Sequence, residues 1–296
     1  MSTGEICANT LQRLRNLQLH VQLCTDGGVA GVPSSAWIGA SDLRDPDGSL
    51  APLLARFAAQ GFAVNRRAAA AALLLRLGWT SGFAIAAYLA CNRVPRLTEY
   101  ALYFSPRSLL HTVWIKAVSF HGLPGDALAG AGDWVGDTCG DESAPRILKQ
   151  PGRSSAEAGP SLSRALLASL LEFSEPLVDV YHRWSGFSRH ALWSMVVSSW
   201  GAQFTSVARQ LGDAARGIAE ARELFSGHPE IAHAAPQLYE VQAGDSVCTC
   251  QRRAACCLYF KSPGRPFCAS CPILSEAERH ERNWHWVRAQ RTLACA

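Results

Sequence analysis

What this sequence has little of narrows it first. Charged residues fill only 18% of the 296 positions while apolar residues fill 48%, a balance that excludes a disordered chain and leaves a globular one with a sizeable core. No Gly-rich phosphate-binding loop occurs, so ATP-driven synthesis is not expected. The nearest approach to a dinucleotide loop, Gly130-Ala131-Gly132-Asp133-Trp134-Val135-Gly136, has the wrong glycine spacing and no strand and helix to frame it. Residues 1–20 lack the basic start, apolar middle and small-residue cleavage site of a secretory leader and carry Glu5, Arg13 and Arg15, so a cytoplasmic location is expected. Charge-free runs are scarce too. Residues 68–92 are interrupted only by Arg76, and residues 190–208 contain no Asp, Glu, Lys or Arg, but both hold Gly, Ser or Thr and are read as buried helices rather than membrane spans.

The fold expected from what is present is mainly α with a small β element, an α+β body of residues 1–240 followed by a cysteine-rich segment, 241–296. Helices are predicted over 8–25, 50–60 and 65–77, the last rich in Ala and Leu. Alternation of Tyr100, Leu102 and Phe104, then of Val113 and Ile115, predicts a strand pair near 99–120. Residues 121–160, dense in Gly, Pro, Asp and Ser, read as a long loop. Leu162, Leu166, Leu170, Phe173, Leu177 and Tyr181 predict a helix over 161–181 that Pro176 should kink or split. Leu192, Val196, Trp200, Phe204, Val207 and Leu211 form one apolar stripe of a helix over 187–211, with a further helix over 214–225. Ser275 followed by Glu278 reads as a capping box opening a last helix.

The eleven cysteines are unevenly placed. Cys7, Cys24, Cys91, Cys139 and Cys295 stand alone and read as small core residues. Cys248, Cys250, Cys256, Cys257, Cys268 and Cys271 crowd into one short stretch, which in a cytosolic chain points to metal rather than disulfides. Cys256-Cys257-x10-Cys268-x2-Cys271 offers four thiolates in two pairs. The Cys-x-x-Cys half serves zinc and iron-sulfur sites alike. The vicinal half needs a sharp backbone bend, since adjacent side chains on a strand point to opposite faces, and zinc sites generally use spaced pairs. From chemistry alone an iron-sulfur cluster, a zinc site and a redox dithiol all stay open. His228-x4-His233 and His280-x4-His285 are competing metal pairs, but Pro229 interrupts the first and neither has a carboxylate partner motif.

The run from Arg252-Arg253 through Cys256-Cys257-Leu258-Tyr259-Phe260 and Pro263-Gly264 to Cys268-x-x-Cys271-Pro272 resembles the C-terminal signature of the FhuF family of ferric-siderophore reductases. The resemblance implies a [2Fe-2S] cluster on Cys256, Cys257, Cys268 and Cys271. It also implies an oxidoreductase that passes one electron to the Fe(III) of a hydroxamate-type siderophore, so that Fe(II) is released. No flavin or nicotinamide signature is present, so electrons are expected from a separate donor such as a ferredoxin or a flavin reductase. No nucleic-acid partner is expected, and the inner face of the cytoplasmic membrane is an alternative location. Cys248 and Cys250 lie outside the signature and are read as inert. A zinc-stapled binding module and a protein of siderophore biosynthesis are the alternative functions.

From Arg252 onward the chain carries eight basic and three acidic residues, a net +5, so a basic patch is expected there. Arg252, Arg253, Lys261 and Arg265 are the candidates for docking a donor or substrate, or for offsetting the negative charge of a cluster. Trp193, Trp200, Trp284 and Trp286 are more readily core than a groove for the chelate.

Overall fold

The structure, a computed structural model, describes residues 3–25, 29, 31–122, 135–138 and 162–294. In chain order the elements are α1 (Thr3–Leu14), β1 (Gln22–Cys24), β2 (Trp37–Gly39), α2 (Ala51–Ala59), α3 (Arg66–Leu77), α4 (Gly82–Cys91), β3 (Arg93–Phe104) and β4 (Leu110–Gly122). There follow β5 (Val135–Thr138), α5 (Leu162–Ser185), α6 (Arg189–Gln210), α7 (Ala214–Ser226), α8 (Pro229–Ala234), β6 (Gln237–Ala243), β7 (Ser246–Arg252) and α9 (Glu276–Ala294). At 55% helix and 18% strand the chain is α+β, as expected. It forms two compact units, one of Met1–Pro52 with Trp79–Leu177 and one of Leu53–Gly78 with Val178–Ala296. The change of sequence character near residue 240 thus falls inside the second unit.

In the first unit the predicted strand pair is the centre of a larger sheet. β3 and β4 pair antiparallel, and β2 adds to the far edge of β3. On the other edge of β4, β1 pairs parallel at Thr112–Trp114 and β5 antiparallel at Ala117–Phe120. The small β element expected is therefore five strands. Val94, Leu102, Val113, Ile115, Val118 and Phe120 are buried, and the ring of Phe83 on α4 meets Phe120 edge-on at 6.4 Å. The first helix ends at Leu14 rather than residue 25, because the chain turns there to supply β1. β5 interrupts the loop expected over 121–160; the rest of that loop, including residues 130–134 of the glycine run, lies outside the described residues.

α5 runs through Pro176 as one helix, so the expected split does not occur. Proline removes one amide donor, and a helix this long, with Leu166, Leu170, Leu177 and Tyr181 buried, absorbs that loss. Residues 66–91 fold as α3, a 3₁₀ turn and α4. Among the described residues this stretch is long and apolar enough to cross a membrane, yet 78% of its most apolar part is buried inside the protein.

α6 is the spine of the second unit. Ser188 caps it by accepting from the Ala191 amide at 3.2 Å. Its expected stripe is buried from Leu192 to Val207, while Leu211, just past the helix, is 42% exposed. The opposite face is buried as well. Ser198 and Thr205 donate back to the carbonyls of Ser194 and Gly201, while Ser199 and Gln203 reach the carbonyls of Leu75 and Gly78 on the α3 side. Polar side chains thus enter a buried face by donating to backbone carbonyls, while the Gln203 Oε1 is left without a partner among the described residues. α7 is capped by Asp213 and approaches α6 at Gly217, where an added Cβ would sit 2.5 Å from the Ala208 Cβ and 2.7 Å from the Phe204 carbonyl.

Gly217→Ala is accordingly expected to destabilise the chain by about 1–3 kcal/mol through overpacking. A urea denaturation midpoint indistinguishable from that of the parent protein would show that α6 and α7 part freely.

Candidate metal centre

The site lies in the second unit, where β7 runs out into an irregular loop. Arg253 follows the last residue of β7, and its amide bonds the Ser270 carbonyl at 3.0 Å, tying the start of the loop to its end. The Cys271 amide bonds the Cys268 carbonyl at 3.0 Å and closes the Cys-x-x-Cys turn. The bend that a vicinal pair requires is present next to it. Leu258 has φ +62°, a left-handed conformation that is uncommon and unfavourable for a branched residue, and its amide points back at the Cys256 Sγ at 3.3 Å. A 3₁₀ turn, Tyr259–Lys261, then leads through Gly264, φ +71°, to the second pair.

Three elements hold this loop. From α6, the Ser194 hydroxyl accepts from the Ala255 amide at 2.9 Å. Behind the Cys268–Cys271 turn, Asn283 of α9 donates to the Ala269 carbonyl at 3.2 Å and to the Tyr239 hydroxyl of β6 at 2.8 Å, and Arg282 donates to the Phe267 carbonyl at 2.7 Å. α9 is itself started by the expected capping box, with Ser275 and Glu278 bonding each other reciprocally. From the α2–α3 segment, the Phe62 ring stacks on Tyr259 at 6.0 Å. Arg76 lies 4.6 and 4.5 Å from the ring centres of Phe57 and Phe62, with its pKa lowered by burial to about 10.

The four cysteines of the vicinal pair and the Cys-x-x-Cys lie near enough for their charges to act on one another. Cys256 is in hydrogen-bonding reach of Cys271, and Cys257 of Cys268. Cys257 and Cys271 are buried, Cys256 and Cys268 half-buried. Among the described residues no single point is ringed by three or more His, Cys, Asp or Glu side chains, so neither histidine pair builds a metal site with such neighbours. Four thiols gathered in one pocket suit a two-iron cluster, which takes two thiolates on each iron.

Arg253 supplies the electrostatics. It is 3% exposed, which removes it from the expected docking surface, and its guanidinium lies among the sulfurs. One terminal nitrogen donates to Cys257 Sγ at 3.3 Å and to Cys268 Sγ, and the other to the Met195 sulfur at 3.6 Å. The Cys257 thiol is pushed down to about 5 by its hydrogen bond with Cys268, by Arg253 and by the Tyr259 amide, while Cys268 is pushed up by keeping the shared proton and by burial. The hydrogen bond and the guanidinium thus both favour a thiolate on Cys257. The Nε–H of Arg253 is buried without a partner among the described residues. A metal group bringing its own sulfide acceptors fits a pocket with four thiols, a buried cation and a spare donor.

The other expected residues fall elsewhere. Arg252, Lys261 and Arg265 are exposed; Arg265 also donates to the Gln60 carbonyl at 2.8 Å. Cys248 and Cys250 sit on β7 and are buried in a small apolar cluster with Val241, Ala243 and Val287. Cys248 accepts from Arg209 at 3.0 Å, and Cys250 is pushed up to about 11 by burial. Trp193 and Trp200 are fully buried and T-stacked at 6.2 Å, Trp284 is half-buried in the hairpin cluster and Trp286 is exposed. Sequence reasoning missed Ser194, Met195, Phe62 and Arg76 as parts of the site.

Residues 253–272 match the family model of the FhuF 2Fe-2S C-terminal domain. The segment is thus an FhuF-type one, and its cofactor is a [2Fe-2S] cluster. The match opens on Arg253 and closes on Pro272, enclosing all four paired cysteines. No curated protein and no solved structure matches the chain.

In metal-free protein, one thiolate is expected to persist on acidification to pH about 5. Arg253→Met should move its loss upward toward the ordinary thiol range. Ultraviolet thiolate absorbance against pH measures both, and disappearance of all thiolate on falling just below the ordinary range would contradict the pairing.

Proposed function

We propose that this chain is a ferric-siderophore reductase, in which Cys256, Cys257, Cys268 and Cys271 ligate the [2Fe-2S] cluster and Fe(III) in a hydroxamate-type chelate is the substrate. The observation that carries the reading is the gathering of these sulfurs in one pocket, with the buried Arg253 guanidinium on Cys257 and Cys268, inside the segment that matches the FhuF domain. When bound, such a cluster supplies one electron at a time.

The substrate's chemistry asks for little else. Hydroxamate oxygens are hard donors that hold Fe(III) tightly and the softer, less charged Fe(II) weakly, so one electron from the donor to the iron releases it. No general acid or nucleophile is required. What the protein supplies is access and insulation. Half-exposure of Cys256 and Cys268 supports exchange at the surface, and burial of Cys257 and Cys271 supports protection of the rest of the centre. Exposed Arg252, Lys261 and Arg265 form a basic rim suited to an acidic electron donor such as a ferredoxin. We place the reaction in the cytoplasm.

Anaerobically purified protein should be red-brown with about two irons and two sulfides per chain. After reduction it should be reoxidised by a ferric trihydroxamate, with the Fe(II) product captured by a ferrous chelator. Cys268→Ser should abolish cluster assembly and Cys248→Ser should leave it intact. Stoichiometric zinc without sulfide, or a cluster that survives Cys268→Ser, would overturn the reading.

A further inference from the structure

Arg253 is a buried cation whose counter-charge is sulfur. Among the described residues no Asp or Glu lies in ion-pair reach of it, and burying a guanidinium without an anion is strongly unfavourable. The partners at hand are the sulfurs of Cys257 and Cys268. These two form one pair. The other, Cys256 with Cys271, receives a neutral donor instead, the Leu258 amide on Cys256. Each half has a backbone amide, from Tyr259 on Cys257 and from Leu258 on Cys256, and among the described residues the Arg253 guanidinium donates to the Cys257–Cys268 half.

Hydrogen bonds to cluster sulfurs, net charge and solvent exposure are what tune the potential of an iron-sulfur centre. A cationic donor stabilises a sulfur more as the negative charge on it rises, and reduction adds one negative charge to the centre. Arginine does not give up its proton in proteins, so its charge is the same in both oxidation states. Its position is fixed as well, by the Met195 contact on one side and by the backbone bond from Arg253 to Ser270 on the other.

We propose that Arg253 sets the reduction potential of the centre, raising it above what the four cysteines alone would give, and makes the Cys257–Cys268 pair electronically distinct from the Cys256–Cys271 pair. It acts as a positioning residue through the two sulfurs it touches. The proposal rests on the ligand assignment above, and its test separates the two.

The parent protein, Arg253→Met, Arg253→Gln, Arg253→Lys and, as a control that removes the same charge from the exposed face of α7, Arg222→Gln are reconstituted and assayed for iron and sulfide. Each is then titrated anaerobically with dithionite, the reductant that supplies the one electron per chain, and followed by visible absorbance and electron paramagnetic resonance. At the parent midpoint the neutral Arg253 variants should show a reduced-to-oxidised ratio at least tenfold lower, a fall of about 59 mV, with an altered resonance line shape. Arg253→Lys should lose less, and Arg222→Gln should match the parent. An unchanged potential in a loaded Arg253→Met or Arg253→Gln protein overturns the proposal, as does an equal shift in Arg222→Gln. If neither neutral variant holds iron and sulfide while the parent does, Arg253 serves assembly and the proposal fails. A parent chain that takes up no iron and sulfide refutes the ligand assignment itself.

Discussion

The second unit depends on one constraint: a guanidinium kept out of water must be held against negative sulfur. Arg253 meets it by being fixed at both ends. Its backbone is clamped to Ser270 and its side chain reaches Cys257, Cys268 and Met195. The clamp brings the two cysteine pairs to the same place although ten residues separate them. It also explains why the chain accepts a left-handed Leu258 beside the pair, since the bend aims two successive side chains into one pocket. Local strain of this kind is tolerated where the surroundings over-determine the conformation.

Those surroundings are built from ordinary packing. α6 is buried on nearly every side; Ser198, Ser199 and Thr205 give their protons to backbone carbonyls, while Ser194 accepts from the Ala255 amide. Loss of one such hydrogen bond costs about 1 kcal/mol, and more when an amide is left buried without a partner. α9 braces the opposite side through Asn283, which joins the Cys268–Cys271 turn to the β6–β7 hairpin. The hairpin in turn buries Cys248 and Cys250 as core residues, which separates them from the ligand set by fold rather than by chemistry.

Much of this was legible in the sequence and some was not, for physical reasons. Cysteine spacing is a covalent property, so the pairs and the bend between them could be read directly, and the Ser275–Glu278 box is local enough to read as well. The strands β1, β2 and β5 are three or four residues long, too short to display alternation, so the sheet looked like a hairpin. Pro176 does not split α5, because burial along a long helix offsets one missing bond, a tertiary effect that local propensity does not register. Arg253 carried a charge that suggested the surface, and nothing near it in sequence announces that its partners are sulfur. Met195, Ser194, Phe62 and Arg76 reach the loop from about 60 to about 200 residues away, a relation that only the tertiary fold creates.

The matched segment carries a [2Fe-2S] cluster, and the ligand set proposed for it is Cys256, Cys257, Cys268 and Cys271. Mössbauer spectroscopy of protein reconstituted with isotopically enriched iron tests that claim most directly. The account predicts paired ferric irons in tetrahedral sulfur coordination with a diamagnetic ground state, becoming one ferric and one ferrous site on one-electron reduction. A single mononuclear iron spectrum, or the same binuclear spectrum after Cys268→Ser, would contradict it.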